Sequence, residues 1–138
     1  MTSVTLTEAR EAIYLRWITL WGTTTPFVFT NEKFKAPTDA PWARLTILHE
    51  QGGDPTLGPP GSNKRKFRRR GRVLINLFDK VDTGTRSLDL LASQARDIFE
   101  GTQFSGLYFV SADVREIGQD GEWQQFIVDA PFDYDETK

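Results

Sequence analysis

The chain contains no cysteine and a single histidine, His49. Without cysteine there are no disulfides, no thiolate-bound metals and no cysteine nucleophile. One histidine cannot supply the paired ligands of a zinc site, and no EF-hand spacing offers a substitute. His49 stands beside Glu50 at a strand end, where a solvated loop residue is a better reading than a general base. No apolar run approaches the ~20 residues that span a bilayer. The opening MTSVTLTEAREA has no basic region followed by an apolar block, so no signal peptide is expected. A formal net charge of -2 argues against a protein that coats nucleic acid with its whole surface. What remains is the expectation of a soluble, intracellular product with one domain over residues 1–138.

What the chain does have is a concentration of positive charge. Lys64, Arg65, Lys66, Arg68, Arg69, Arg70 and Arg72 crowd ahead of the apolar residues Val73, Leu74, Ile75, Leu77 and Phe78. Like charges packed this closely repel and favour solvation. Glycine, proline and polar residues fill Glu50 to Arg70, and no periodicity survives there. A loop of roughly 20 residues inside a small domain is uncommon and usually functional or disordered. The expectation is a long flexible hairpin loop at about 50–70, then a central strand from Arg72 covered on both faces.

The rest of the chain is more regular. Thr5 and Glu8 have capping-box spacing, and Ala9, Ile13, Trp17 and Leu20 or Trp21 return at helical intervals up to Gly22. Tyr14, Leu15 and Ile18 widen that apolar stripe. This is either ordinary stray exposure or a surface that meets a neighbouring subunit. Pro26 to Thr30 reads as a short strand, and Trp42 to His49 as a half-buried one. Between them Asn31 to Pro41 forms a loop pinned by Phe34. Leu88, Leu91, Ala92, Ala95, Ile98 and Phe99 mark a second helix. Leu107 to Ile117, a turn at Gly118 to Gly121, and Trp123 to Ala130 read as a hairpin. An acidic tail, 131–138, leaves the sheet at Pro131. The predicted class is therefore α+β in the order α-β-β-β-α-β-β, a mainly antiparallel or mixed sheet carrying two helices.

Catalytic chemistry finds no support. Gly53-Asp54-Pro55-Thr56-Leu57-Gly58 leads into Pro59 where a phosphate-binding loop needs lysine. Asp129, Asp133, Asp135 and Glu136 read better as a solvated end than as a metal cage. No nucleophile stands beside a base, so no enzyme activity, cofactor or metal is expected. Three readings of the basic run stay open: a solvated loop, a phosphate-contacting arm with steep salt dependence, or a docking element for an acidic protein surface. Phe67 alone interrupts the charges, which is thin for a reader of single strands. The docking reading has a partner in the same sequence, the acidic end Asp129, Asp133, Asp135 and Glu136. Arg68, Arg69, Arg70 and Arg72 of one subunit would face Asp133, Asp135 and Glu136 of a neighbour in a head-to-tail contact, and Lys64, Arg65, Lys66, Asp129, Tyr14 and Leu15 are the other interface candidates.

Short motifs across nearly the whole chain resemble a known group. An N-terminal helix ends in tryptophan, followed by Asn31-Glu32-Lys33-Phe34 with Pro37 beyond. Pro41-Trp42-Ala43-Arg44 opens a strand, and a long polar loop enters Arg70-Gly71-Arg72-Val73. A turn with Gly84, a helix, and a closing hairpin with Trp123 complete the pattern. Together these resemble the tail terminator-like proteins of long-tailed bacteriophages. The run Lys64 to Arg70 is more basic than is typical of that group, so its role is not inherited. The resemblance implies a non-catalytic virion protein at the head-proximal end of the tail, made in the host cytoplasm. It would cap the tail tube as a homo-hexameric ring, stop polymerisation and provide the head-joining surface. Its partners would be itself, the tail tube protein and head–tail connector or neck proteins. DNA would pass through the ring without sequence-specific binding, and no membrane would be involved. A neck or head-completion protein of the same virus and a nucleic-acid-binding module are the alternatives.

Overall fold

Helix α1 (Leu6–Trp21) begins at its capping box. In the computed structural model, which describes residues 3–38, 40–50, 56–57, 65–82 and 84–138, the Glu8 amide donates to Thr5 Oγ1. The Thr5 amide donates in turn to Glu8 Oε1, both at 3.2 Å. Gly22 ends the helix at φ 58°, a left-handed value that suits glycine, and its amide donates to the Ile18 carbonyl at 3.1 Å. Ala9, Ile13, Trp17 and Trp21, spaced by four, form the buried row.

After β1 (Phe27–Phe29) come β2 (Trp42–Glu50), a two-residue β3 (Thr56–Leu57) and the long β4 (Arg65–Lys80). Helix α2 (Arg86–Phe99) then leads into β5 (Gln103–Phe104), β6 (Leu107–Phe109), β7 (Asp113–Asp120) and β8 (Trp123–Thr137). The strands lie in the order β1-β2-β4-β8-β6-β5, with β3 on β4 and β7 on β8. β1 runs parallel to β2 and the other pairs are antiparallel. This is the α+β domain with a mixed sheet that the sequence predicts. The predicted strand Leu107 to Ile117 is divided, because β6 and β7 pair with different stretches of β8 and leave 110–112 between them.

The sheet has one covered face and one largely open face. Gly71, Val73, Ile75 and Leu77 of β4 alternate inward with Phe126, Val128, Ala130, Phe132 and Tyr134 of β8. They meet the buried row of α1 and the Leu88, Leu91, Ala95, Ile98 and Phe99 face of α2. Full burial of one such large side chain contributes about 1.5–3 kcal/mol, so this layer dominates stability. On the opposite face a smaller cluster of Val28, Trp42 and Phe78 is roofed by Phe34 and Ala36. Trp42 stacks on Phe78 at 4.1 Å and lies 5.1 Å from Phe34, which pins its loop as predicted. Beyond that end the open face is half-exposed, so the strand expected to be covered on both sides is covered twice only near Phe78.

Two expectations are corrected. The basic run is not part of a loop: Arg65 to Arg70 is the first third of β4, paired residue by residue from Lys66 with β8. The acidic end does not leave the sheet at Pro131, since β8 continues to Thr137. Each segment stabilises the other, because the acids of one neutralise the cations of the next strand. Of the predicted loop, the described residues include Glu50, Thr56–Leu57 and the strand from Arg65; Lys64 lies outside them.

Candidate assembly surfaces

Past Gly71, β4 and β8 continue as a paired ribbon, edged by β3 along Arg65–Lys66 and, on the other side, by the Val4 amide, which donates to the Asp135 carbonyl at 3.0 Å. On its open face Arg68 stands opposite Asp135, and Arg70 opposite Asp133. Arg68 Nε donates to Asp135 Oδ1 at 2.8 Å, Lys66 Nζ lies 3.3 Å from Asp135 Oδ2, and Arg70 Nε lies 3.5 Å from Asp133 Oδ1. On the helix side Arg69 donates twice to Glu136 Oε1, at 3.1 and 3.2 Å, and its guanidinium covers Phe67 at 5.1 Å. Arg65 and Lys138 exchange backbone hydrogen bonds at 2.8 and 2.9 Å, which closes the ribbon at its tip.

The pairing expected between neighbouring subunits is therefore made within one chain. Partly exposed pairs of this kind are each worth about 1 kcal/mol. Their effect is to cancel repulsion along β4 and let a strand form where like charges alone would forbid it. A carboxylate already holding an arginine of its own chain has little left for a neighbour. The proposed contact of Arg68, Arg69, Arg70 and Arg72 with Asp133, Asp135 and Glu136 of another subunit is set aside on that ground.

The inner end of the ladder is its most buried point. The Asp129 side chain is 3 % exposed, and its Oδ2 accepts from Arg72 Nη1 at 2.7 Å and from Arg115 Nη2. Arg72 also donates from Nε to Glu50 Oε1 at 2.5 Å. The hydrogen bond to Glu50, followed by the charge of Asp129, raises the Arg72 pKa above its ordinary value. Asp129 Oδ1 is left without a hydrogen-bond partner. Glu50 and Arg115, which complete this node, were not among the predicted site residues. A signal for Glu50 was present, since it ends β2 opposite Arg70 in the strand register.

Tyr14 and Leu15, predicted together as interface residues, part company. Tyr14 is half-buried and stacks on Phe29 at 4.0 Å, so it fastens α1 to β1. Leu15 is 66 % exposed, and Ile18 and Leu20 are 46 % and 48 % exposed on the same helix. Two adjoining concavities share Ala12, Leu15 and Ser105: one extends to Val4, Glu8 and Glu11, the other to Leu20 and Phe104. They form a shallow groove between α1 and the turn after β5. Arg16 braces the groove wall, donating from Nε to the Ile98 carbonyl at 2.7 Å with its guanidinium 4.6 Å from the Phe104 ring centre.

His49 is no solvated loop residue. It belongs to β2, edge-on to Phe132 at 5.9 Å and to Tyr134 at 6.0 Å, with Nε2 buried and unpartnered. Burial first, and the nearby Arg10 charge second, lower its pKa below the ordinary histidine value. A lowered folded-state pKa means the unfolded chain binds the proton more readily. The resulting contribution is intact above the unfolded value of about 6.5 and is lost as pH falls through the folded value. Urea titrations between pH 7.5 and 5 should show the wild type losing more stability than His49→Gln on acidification. Parallel losses in the two proteins would refute this.

No family model and no curated protein matches the chain. Solved structures are similar to it in fold. One superposes with a TM-score of 0.62 at 15 % identity, covering 91 % of this chain and 94 % of its own length, which identifies a shared architecture.

Proposed function

We propose that this protein is a structural component of a phage tail that caps the tube as a ring, ends its polymerisation and presents the surface to which the head joins. The observation that carries the reading is the outer row of α1. Leu15 and Ile18 remain exposed side by side on a helix whose inner row is almost completely buried, and Leu20 is exposed on its other flank. Neighbouring exposed aliphatics on a well-anchored helix suit a surface that a second subunit covers. The largely open sheet face opposite the helices supplies a second, chemically different surface, as a part joined to both tube and head needs. The resemblance of its short motifs to those of tail terminator-like proteins favours this assembly role over others.

Nucleic-acid binding loses ground as an alternative. Lys66, Arg68, Arg69, Arg70 and Arg72 all hold carboxylates of their own chain, so few of these cations are left to neutralise phosphates. Electron microscopy of the protein mixed with tail tubes tests the proposal. Rings seated at one end of the tubes, with tubes no longer extending from that end, are the expected result. Bare ends at saturating protein would overturn it. Tight, salt-sensitive binding to duplex DNA would revive the alternative.

A further inference from the structure

The outward stripe of α1 has a definite order. Glu8, Glu11, Leu15 and Ile18 follow one another at intervals of three and four residues, so they line one side of the helix. All four are exposed. Glu11 makes no ion pair among the described residues, and Glu8 uses one oxygen in the capping box. The stripe is thus two acids followed by two aliphatics, of which Glu8, Glu11 and Leu15 line the groove.

A surface of matching chemistry lies elsewhere on the same chain. In the segment after β1, Phe34 and Ala36 pack inward on Trp42 and its neighbours, which leaves Lys33 and Lys35 exposed and Pro37 half-exposed. Neither lysine makes an ion pair among the described residues. Residues two apart in extended chain stand about 7 Å apart, and residues three apart on a helix about 5–6 Å. Two lysines can therefore address two glutamates at once, while Pro37 approaches Leu15. The two surfaces cannot meet within one molecule. α1 lies on the covered face of the sheet, whereas 33–37 roofs the cluster on the opposite face.

We propose that a second copy of this chain docks its Lys33–Pro37 segment on the Glu8–Glu11–Leu15 stripe. The contact is heterologous, joining unlike surfaces, and repeated head-to-tail contacts close into a ring when the rotation allows. This rests on the ring reading above and names the contact that builds the ring.

The absence of native cysteine makes the test direct. A Glu11→Cys/Lys35→Cys double variant is oxidised at high protein concentration and run on a non-reducing gel. A disulfide requires Cα atoms within about 7 Å, so bridges can form only between molecules. The expected result is a ladder of covalent multimers that collapses on reduction, while each single variant stops at dimer or below. In a second arm, Lys35→Glu should raise the concentration for half-assembly tenfold or more, and adding Glu11→Lys should restore it. An assembled protein by light scattering with no ladder and no rescue overturns this contact but leaves the ring reading standing. A monomer at all concentrations with no ladder overturns the contact, and bare tube ends in the microscope would then remove the ring reading too.

Discussion

Trp17→Ala is expected to cost about 3–5 kcal/mol, the range for deleting a large aromatic from a packed core. Trp17 is wholly buried, stacked on Trp21 with ring centres 4.5 Å apart and edge-on to Phe27 at 5.9 Å. It is the point where α1 engages both the sheet and its own next turn. Neither neighbour can collapse into the vacated volume easily. Trp21 is tied through Nε1 to Thr25 Oγ1 at 3.1 Å, and Phe27 is fixed in β1 opposite Ala43. Domains of this size are stable by about 5–15 kcal/mol, so the variant should lie near the limit of folding. Trp17→Phe is a sharper test. The Trp17 indole N–H has no hydrogen-bond partner, so phenylalanine removes an unsatisfied donor while keeping a ring in place. Its cost should fall to about 1–2 kcal/mol. Urea titrations would show a large fall in midpoint for alanine and a small one for phenylalanine, with similar slopes. Equal losses would mean that the ring contacts are not what holds α1 down.

That helix was legible because its signals are local. A hydroxyl and a carboxylate three residues apart, a row spaced by four, and a glycine beyond the last turn all act within one segment. The core of β2 and of β4 was legible for a similar reason, since alternation or an apolar run is visible without knowing the partner. The basic run was not, because what makes Arg65 to Arg70 a strand lies some 65 residues away in β8. Local repulsion favours a solvated loop, and carboxylates brought across the sheet reverse that balance. The missing information was register. Extending the Ile75–Val128 pairing outward places Arg70 opposite Asp133 and Arg68 opposite Asp135, a period-two match of opposite charges present in the sequence all along. The candidate surface followed the same division. The width of the α1 stripe could be read, but which of its residues were already engaged could not: Tyr14 is held by Phe29, and Leu15 is not.

Gly71 gives the second large effect, and here a general rule and the structure predict opposite signs. Glycine within a strand is normally a weakness, and replacing it with a residue bearing a side chain should help. Gly71 is buried in β4 directly opposite Phe132, and a Cβ built there would stand 2.5 Å from Phe132 Cζ and 2.7 Å from the Leu48 carbonyl oxygen. The ring lies over the glycine and occupies the space that a side chain would need. It cannot swing away without cost, because Phe109 is 5.4 Å and His49 5.9 Å from it, centre to centre. The carbonyl is backbone of β2 and can yield only if the two strands separate. Gly71→Ala is therefore expected to destabilise by about 1–3 kcal/mol, the usual penalty for overpacking, and Gly71→Val by more. Combining Gly71→Ala with Phe132→Leu should recover part of that loss through a favourable coupling between touching positions. The Leu48 contact would remain, so recovery should be incomplete. Chemical denaturation of the two single variants and the double measures the coupling. A Gly71→Ala protein as stable as the wild type would show that β4 has room to spare, and that the glycine reflects no close approach at all.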